Sequence, residues 1–326
     1  MALTDEKGVW EHAEFSQPRI EHGYCTDDNA RALVVTSRQQ PASEDLAGLA
    51  DTYLRFVLAA RTSSGGFHNR RDASGEWADE IGSDDSQGRA WWGLGVVANR
   101  GPSATLRQDG LQAFGGCTSF ESPHLRANAY AVLGAVEVLS ADPHHHPAGE
   151  LLEAAVGVIV AAARARIPWP ELRLTYDNAR IPEALLAAGA MLGETRMIAI
   201  GVRLLEWLTA VEANGDHFSF TPVGGWTPGE PRPGFDQQPI EAWAMADACH
   251  RAWVVTGRSV WRERAIDAAW WLLGHNDTRM VLFDEATGGT GDGLTAHGVN
   301  LNRGAESTLA GVGTLQIGDN VCDTRS

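Results

Sequence analysis

The sequence predicts an all-α fold, a toroid of helical hairpins with long loops gathered at one mouth. Three observations predict it. First, the motif Asp-Asn-Ala-Arg is written twice, at Asp28–Arg31 and Asp177–Arg180. Looser relatives follow at Asp84–Arg89, His124–Asn128, Asp236–Pro239 and Arg303–Glu306. Six repeated openings of Ala-, Gly-, Leu- and Trp-rich runs suggest six hairpins. Second, two kinds of helix alternate. Segment 44–58 puts Leu46, Leu49, Ala50, Tyr53, Leu54, Val57 and Leu58 on one stripe, leaving Glu44, Asp45, Asp51 and Arg55 wet; such an amphipathic helix lies at a surface. Segments 150–163, 195–212 and 259–273 behave likewise, whereas 30–36, 90–98, 129–139, 181–192 and 240–255 are apolar nearly all round and so buried on every side. Third, three long polar, Gly-rich stretches, 62–83, 214–235 and 275–303, interrupt the pattern. Loops of that length in a compact domain are usually functional.

The helices expected are 27–40, 44–61, 84–100, 103–115, 122–140, 147–165, 177–192, 194–213, 237–256, 259–274 and 304–317. Asp28, Asp177 and Asp236 sit where N-caps are expected, and Pro182 and Pro239 fall in first turns, where a missing N–H costs little. Six closed hairpins need a twelfth helix; either it is missing or the N-terminal segment fills the gap. No composition shift marks a second domain. The expectation is one domain over 1–326, with an N-terminal arm at 1–20 and a polar tail at 318–326.

Composition narrows the function. The chain has 326 residues, 44% hydrophobic and 21% charged, with a net charge of −16. It shows no basic stripe for nucleic acid and no apolar run near the ~20 residues that span a bilayer. The opening Met1–Glu6 is acidic and polar, unlike a secretory signal, so a cytoplasmic location is expected. Four cysteines, 25, 117, 249 and 322, lie too far apart for a zinc knuckle or Cys-x-x-Cys pair and are expected to be buried thiols. The only lysine is Lys7, in an exposed-looking segment. That excludes a P-loop and a Schiff-base lysine. Gly288–Gly293 follows no strand of a βαβ unit, and neither a Gly-x-Ser-x-Gly elbow nor a His-Glu-x-x-His occurs. No metal and no cofactor are expected.

The repeated helix starts would collect carboxylates at one mouth: Asp27, Asp28, Asp84, Asp85, Asp177, Asp236, Glu241 and Glu306. Acids set beside apolar helices acquire divergent pKa values, one donating and another staying ionised, and glycoside hydrolysis needs such a pair. A lone Asp at a helix start is more often a cap, but one member of Asp27-Asp28 and of Asp84-Asp85 is redundant for capping. Asp85, Asp177, Asp236 and Glu306 start different inner helices and are the candidate catalytic acids. Asp27, Asp28, Asp84, Glu241, Asn178, Gln237, Asn302, Arg31, Arg89, Arg180, Arg303, His22 and Tyr24 are candidate substrate-binding residues. The arginines are read first as salt-bridge partners that set the acids' pKa values. Of twelve tryptophans, Trp91, Trp92, Trp243, Trp253, Trp270 and Trp271 read as core. Trp77, Trp169 and Trp226 lie in or near loops, where a flat apolar face can stack on a sugar.

Three stretches carry a family likeness: His22-Gly23-Tyr24-Cys25-Thr26-Asp27-Asp28-Asn29-Ala30-Arg31-Ala32-Leu33, Gly82–Ala90 and Gly234–Pro239. They resemble bacterial proteins loosely described as glycosyltransferase-associated. More distantly, residues 10–316 resemble the six-hairpin glycosidase superfamily of (α/α)6 barrels, and the paired aspartates are similar to those of its endo-α-mannanases, which use adjacent aspartates. The resemblance implies an oligosaccharide or sugar substrate without fixing the catalytic pair. Three readings stay open: a glycoside hydrolase; a sugar epimerase, isomerase or lyase, which would need a group such as His22, Tyr24, Tyr176 or His297; and a non-catalytic carbohydrate-binding protein.

Overall fold

A computed structural model describes residues 3–323, apart from the side chains of residues 118 and 323. Among these residues are eleven α-helices: α1 (Thr26–Arg38), α2 (Glu44–Ala59), α3 (Asp84–Arg100), α4 (Ala104–Phe114), α5 (Leu125–Ala141), α6 (His146–Ala165), α7 (Arg180–Leu192), α8 (Thr195–Glu212), α9 (Pro239–Thr256), α10 (Ser259–Leu272) and α11 (Ala305–Asp323). Every expected helix is present, most ends within two or three residues. The exception is α11, which runs through Gly318 to Asp323 where a polar tail was expected; Ile317 and Val321 are buried and give that stretch an apolar side. Residues 324–326 lie outside the described part. The other regular elements among the described residues are two single 3-10 turns, Ile20–His22 and Cys117–Ser119, and short antiparallel pairs of strands in the N-terminal segment and the loops.

The chain divides into two compact units, Met1–Val158 and Ile159–Ser326. In the first, α3 lies between α1 and α5, while α2 packs on α1 and α4 on α3. The α3–α5 seam is close because glycines line it: a Cβ on Gly95 would lie 2.2 Å from the carbonyl oxygen of Gly134. Residues 86–98 of α3 are all buried, as the all-round apolar pattern requires. In the second unit α9 lies between α7 and α11, with α8 against α7 and α10 against α9.

The described part of the N-terminal segment packs on the helices. Val9, Trp10 and Ala13 are buried, and Trp10 stacks on Tyr24 with centroids 4.0 Å apart. Lys7, read as exposed, is partly buried and donates from Nζ to the carbonyl of Ala73 at 2.9 Å. Cys25, Cys117 and Cys249 are buried, but Cys322 is exposed. Trp270, read as core, is 53% exposed on the outer side of α10.

Candidate functional site

In the first unit, a strand pair aims the start of α1. Strand β1 (Tyr24–Cys25) pairs with β2 (Arg70–Arg71) in the register Tyr24↔Arg71, Cys25↔Arg70. This fastens the long loop 62–83 to the first helix start: Thr26 N–H donates to the carbonyl of Asn69 at 2.8 Å. Asp27 and Asp28 then occupy the first turn of α1, and Asp84 and Asp85 the first turn of α3. Helix N-termini favour negative charge, which helps keep four acids in so small a region.

Each doubled acid divides its labour. Arg89, one turn along α3, reaches Asp27 Oδ1 at 2.9 Å and Asp85 Oδ2 at 3.7 Å from the same Nη1 atom. Its other nitrogen donates to the Tyr130 hydroxyl at 2.8 Å, and the guanidinium lies 4.5 Å from that ring's centroid. Asn69 Nδ2 donates to Asp27 Oδ2 at 3.1 Å. Burial alone would raise the Asp27 pKa, but the charges of Arg89 and Arg31 and these bonds outweigh it and hold the carboxyl below its ordinary value. The Asp27 and Asp85 side chains keep 18% and 16% of their surface exposed. Asp28, in contrast, is buried and bound to Arg31 at 2.6 Å, with the Cys25 thiol donating to it at 3.2 Å. Asp84 turns outward, accepting from Ser122 Oγ at 2.6 Å.

One group among the described residues has metal-ligand proximity: Glu11, Cys25 and Asp28, whose ligand atoms lie within 4.8 Å of one another. The fit is poor. Burial pushes the Cys25 thiol well up, so it stays protonated. Arg31 already neutralises Asp28, and Arg70 neutralises Glu11.

The second unit holds the other clear motif. Asp177 does not cap α7; it has φ +48° and the helix begins at Arg180. Indeed none of the three expected caps is one. Cys25, Ala179 and Gln238 occupy the cap positions before α1, α7 and α9 and make no side-chain cap bond. True caps are Ser43, Ser83 and Ser103. The aspartates are therefore placed for other partners. Fully buried Arg180 contacts Glu183 at 2.7 Å, Asp247 at 2.5 Å and Asp177 at 3.4 Å, over the Trp243 ring. Glu241, in the first turn of α9, accepts from the backbone N–H of Asp177 and, at 3.3 Å, of Asn178, whose side chain adds a bond at 3.2 Å. Burial pushes the Glu241 carboxyl well above its ordinary value, helped by the charges of Glu212 and Asp177. Burial likewise raises Glu212.

The remaining candidates take separate places. Gln237 is buried and braces loops, accepting from Phe220 N–H and Trp271 Nε1 and donating to Asp277 at 2.5 Å. Asp236 is exposed, and its carbonyl accepts from Val223 N–H. Arg303 binds Asp284 at 2.8 Å, the carbonyl of Asn302 accepts from Asp292 N–H, and Glu306 is partly buried in the first turn of α11. The exposed His22 ring meets His12 at 3.0 Å. Tyr24 is buried and donates to Asp5 at 2.7 Å, so its hydroxyl is not presented to a ligand. Trp169, considered as a stacking platform, is buried against Trp207. Sequence reasoning missed Asn69, Asp79, Tyr130, Glu212 and Asp247. Asn69 and Asp79 lie in the long stretch 62–83 singled out as a loop; the others carry no motif.

Comparison with solved structures fixes the architecture. A sugar epimerase from a ruminal bacterium superposes with a TM-score of 0.73 at 12% identity, over 99% of this chain and 95% of that one. A cellobiose 2-epimerase from Bacillus thermoamylovorans gives 0.73 at 9% identity, over 98% and 94%. A family 76 α-mannanase from Bacteroides thetaiotaomicron gives 0.69 at 10% identity, over 99% and 92%. The chain has the six-hairpin (α/α)6 fold. No protein-family model and no curated protein matches the sequence. No helix among the described residues is long and apolar enough to cross a membrane.

Proposed function

We propose that this chain is a carbohydrate-active enzyme, a glycoside hydrolase whose acid and base are Asp85 and Asp27. The observation that carries the reading is one arginine nitrogen between two partly exposed carboxylates on two helix starts. Arg89 holds Asp27 ionised, fit to act as base or nucleophile, and this leaves Asp85 the role of acid toward the leaving oxygen. The two nearest oxygens can lie no farther apart than the sum of their distances to that nitrogen, an upper bound that admits the shorter carboxylate spacing of a retaining glycosidase. Support for a sugar substrate, though not for this choice of pair, comes from a further structure of the same fold, a Salegentibacter α-1,6-mannanase in complex with α-1,6-mannotriose, whose inactive variant carries asparagine at two adjacent aspartates. Here the adjacent pairs are Asp27-Asp28 and Asp84-Asp85.

In this reading Asp28 and Asp177 are held in ion pairs and serve structure, because a buried carboxylate already engaged by arginine is poorly placed to exchange protons with a sugar. The test is turnover of an oligosaccharide panel, including α-1,6-mannotriose and cellobiose, followed by NMR. Hydrolysis releases a new reducing end. Asp27→Asn and Asp85→Asn should each lower the rate on the order of 10²–10⁴-fold by loss of acid–base catalysis. Epimerisation without a new reducing end would replace the reading with the sugar epimerase alternative, which the likeness to two epimerases of this fold favours. Binding without turnover would make the chain a carbohydrate-binding protein.

A further inference from the structure

We infer that Tyr130 is a positioning residue of the Asp27–Asp85 site: it holds the Arg89 guanidinium by edge and by face, so that one nitrogen of that group stands between the two carboxylates. The inference rests on the proposal that these two acids do chemistry on a sugar, and it names what fixes the charge between them. Tyr130 lies in the second turn of α5 and is fully buried.

Close packing of two helices sets the contact. Gly88 precedes Arg89 on α3, and a Cβ there would run into the carbonyl oxygen of Ala127, three residues before Tyr130 on α5. The bare glycine lets the two backbones approach. Arg89 Nη2 donates to the Tyr130 hydroxyl at 2.8 Å, and the guanidinium carbon lies 4.5 Å from the ring centroid. A desolvated cation is attracted to an aromatic face. The ring is itself braced, stacking on Trp92 with centroids 5.9 Å apart and planes 20° off parallel. Arg89 therefore meets α5 through Nη2 and the acids through Nη1, with Asp27 of α1 at 2.9 Å and Asp85 of its own helix at 3.7 Å.

The chemistry of the tether matters. A phenol hydroxyl accepts a hydrogen bond without bringing a charge of its own, so it positions the cation and leaves its charge for the acids. A carboxylate in its place would take up that charge, as Asp28 does for Arg31 at 2.6 Å. Coulomb attraction falls with distance. An arginine freed to swing on its long side chain would spend less time at 2.9 Å and stabilise the ionised Asp27 less. The remaining support of Asp27, the Asn69 amide and the charge of Arg31, comes from the long loop and from α1 and is left in place by a change at Tyr130.

The test is Tyr130→Phe, which keeps the ring, its stacking on Trp92 and its face toward Arg89, and removes the hydroxyl alone. The first measurement needs no substrate. The Asp27 carboxyl is titrated by ¹³C NMR in folded wild type and variant, its resonance assigned by its loss in Asp27→Asn. One hydrogen bond corresponds to about a 3–10-fold change in an equilibrium constant, so the Asp27 midpoint should rise by about 0.5–1 pH unit. An unmoved midpoint, as for a tyrosine that only fills the core, overturns the inference. So does a fall, which would mean that the hydroxyl competes with Asp27 for Arg89. In wild type alone, the Nη protons of Arg89 should give separate resonances because both terminal nitrogens are held; a freely rotating guanidinium would also overturn it. The second measurement is the pH profile of kcat/KM on the oligosaccharide panel, where the acid limb should move up with the Asp27 midpoint and KM at neutral pH should change little. If the midpoint moves but no sugar of the panel is turned over, the hydrolase reading falls and the hold of Tyr130 on Arg89 stands. If sugar is hydrolysed but the midpoint stays, Tyr130 loses its role and the hydrolase reading stands.

Discussion

Replacing Arg180 by Met should be among the most damaging single changes in the second unit. The side chain is fully buried and lies within ion-pair distance of Asp177, Glu183 and Asp247, each itself nearly inaccessible. Methionine fills much of the volume but supplies no charge. Three carboxylates then remain in an apolar setting without their cation, and breaking a buried pair by removing one partner costs about 3–5 kcal/mol. A unit of this size loses about 2–4 °C of Tm per kcal/mol, so the melting temperature should fall by about 6–20 °C. Arg258→Met is the control: its pair with Glu206 at 2.7 Å is about half exposed, where a pair contributes about 0–1 kcal/mol. The assay is thermal unfolding by circular dichroism, both variants beside wild type. Equal, small shifts for the two would refute the reasoning that Arg180 is the charge that makes this interior tolerable.

Three further outcomes follow from the same geometry. Glu212 is buried with its pKa raised, so the folded state binds its proton more tightly than the unfolded chain; this group's contribution favours folding at low pH and is lost as pH rises from the ordinary value of about 4.3 through the raised one. Glu212→Gln, whose oxygen can still accept from Thr221, should flatten that decline, and denaturant titrations at several pH values that keep the wild-type slope would contradict it. Asp27 has the opposite sign: its depressed pKa stabilises the fold above about pH 3.9 and keeps the base ionised, so the acid limb of kcat/KM should lie below about pH 4; a limb centred near pH 6 would point to a different base. Gly95→Ala should destabilise by about 1–3 kcal/mol because the new methyl meets the backbone of Gly134. Gly149→Ala in α6, with nothing within 4 Å, should instead gain up to about 1 kcal/mol.

The fold was legible because its signal is periodic. Helices apolar on all sides and helices with one wet face differ plainly in sequence, and the nine segments that contrast assigned all lie in helices to within one residue. The end of α11 escaped because Gly318, Asp319 and Asn320 look polar one by one, while burial of Ile317 and Val321 comes from neighbours distant in sequence. The site was legible by residue type but not by partner. Asp27 and Asp85 share Arg89 across an interval of many residues, whereas Asp28, next door, binds Arg31 within its own helix. Helix phase decides which acid faces which arginine, and a motif read letter by letter does not carry phase across two helices. The aspartates looked like caps because they open helices; α7 and α9 start later, with caps at Ala179 and Gln238, because the preceding segments stay turned or extended for longer, whereas α1 starts earlier, at Thr26, and takes Asp28 into its first turn. Asn69 and Asp79 were hidden for another reason. Their roles come from a loop folded back on β1 by pairing that no repeat encodes.

The most direct test of the account is a single comparison. Wild type, Asp27→Asn, Asp85→Asn and Asp28→Asn are purified, checked for folding, and assayed by NMR for new reducing ends from α-1,6-mannotriose and the rest of the oligosaccharide panel. The account predicts turnover by wild type and a loss on the order of 10²–10⁴-fold in both Asp27→Asn and Asp85→Asn, with folded Asp28→Asn retaining far more of the rate. Near-normal turnover by Asp27→Asn or Asp85→Asn would contradict it.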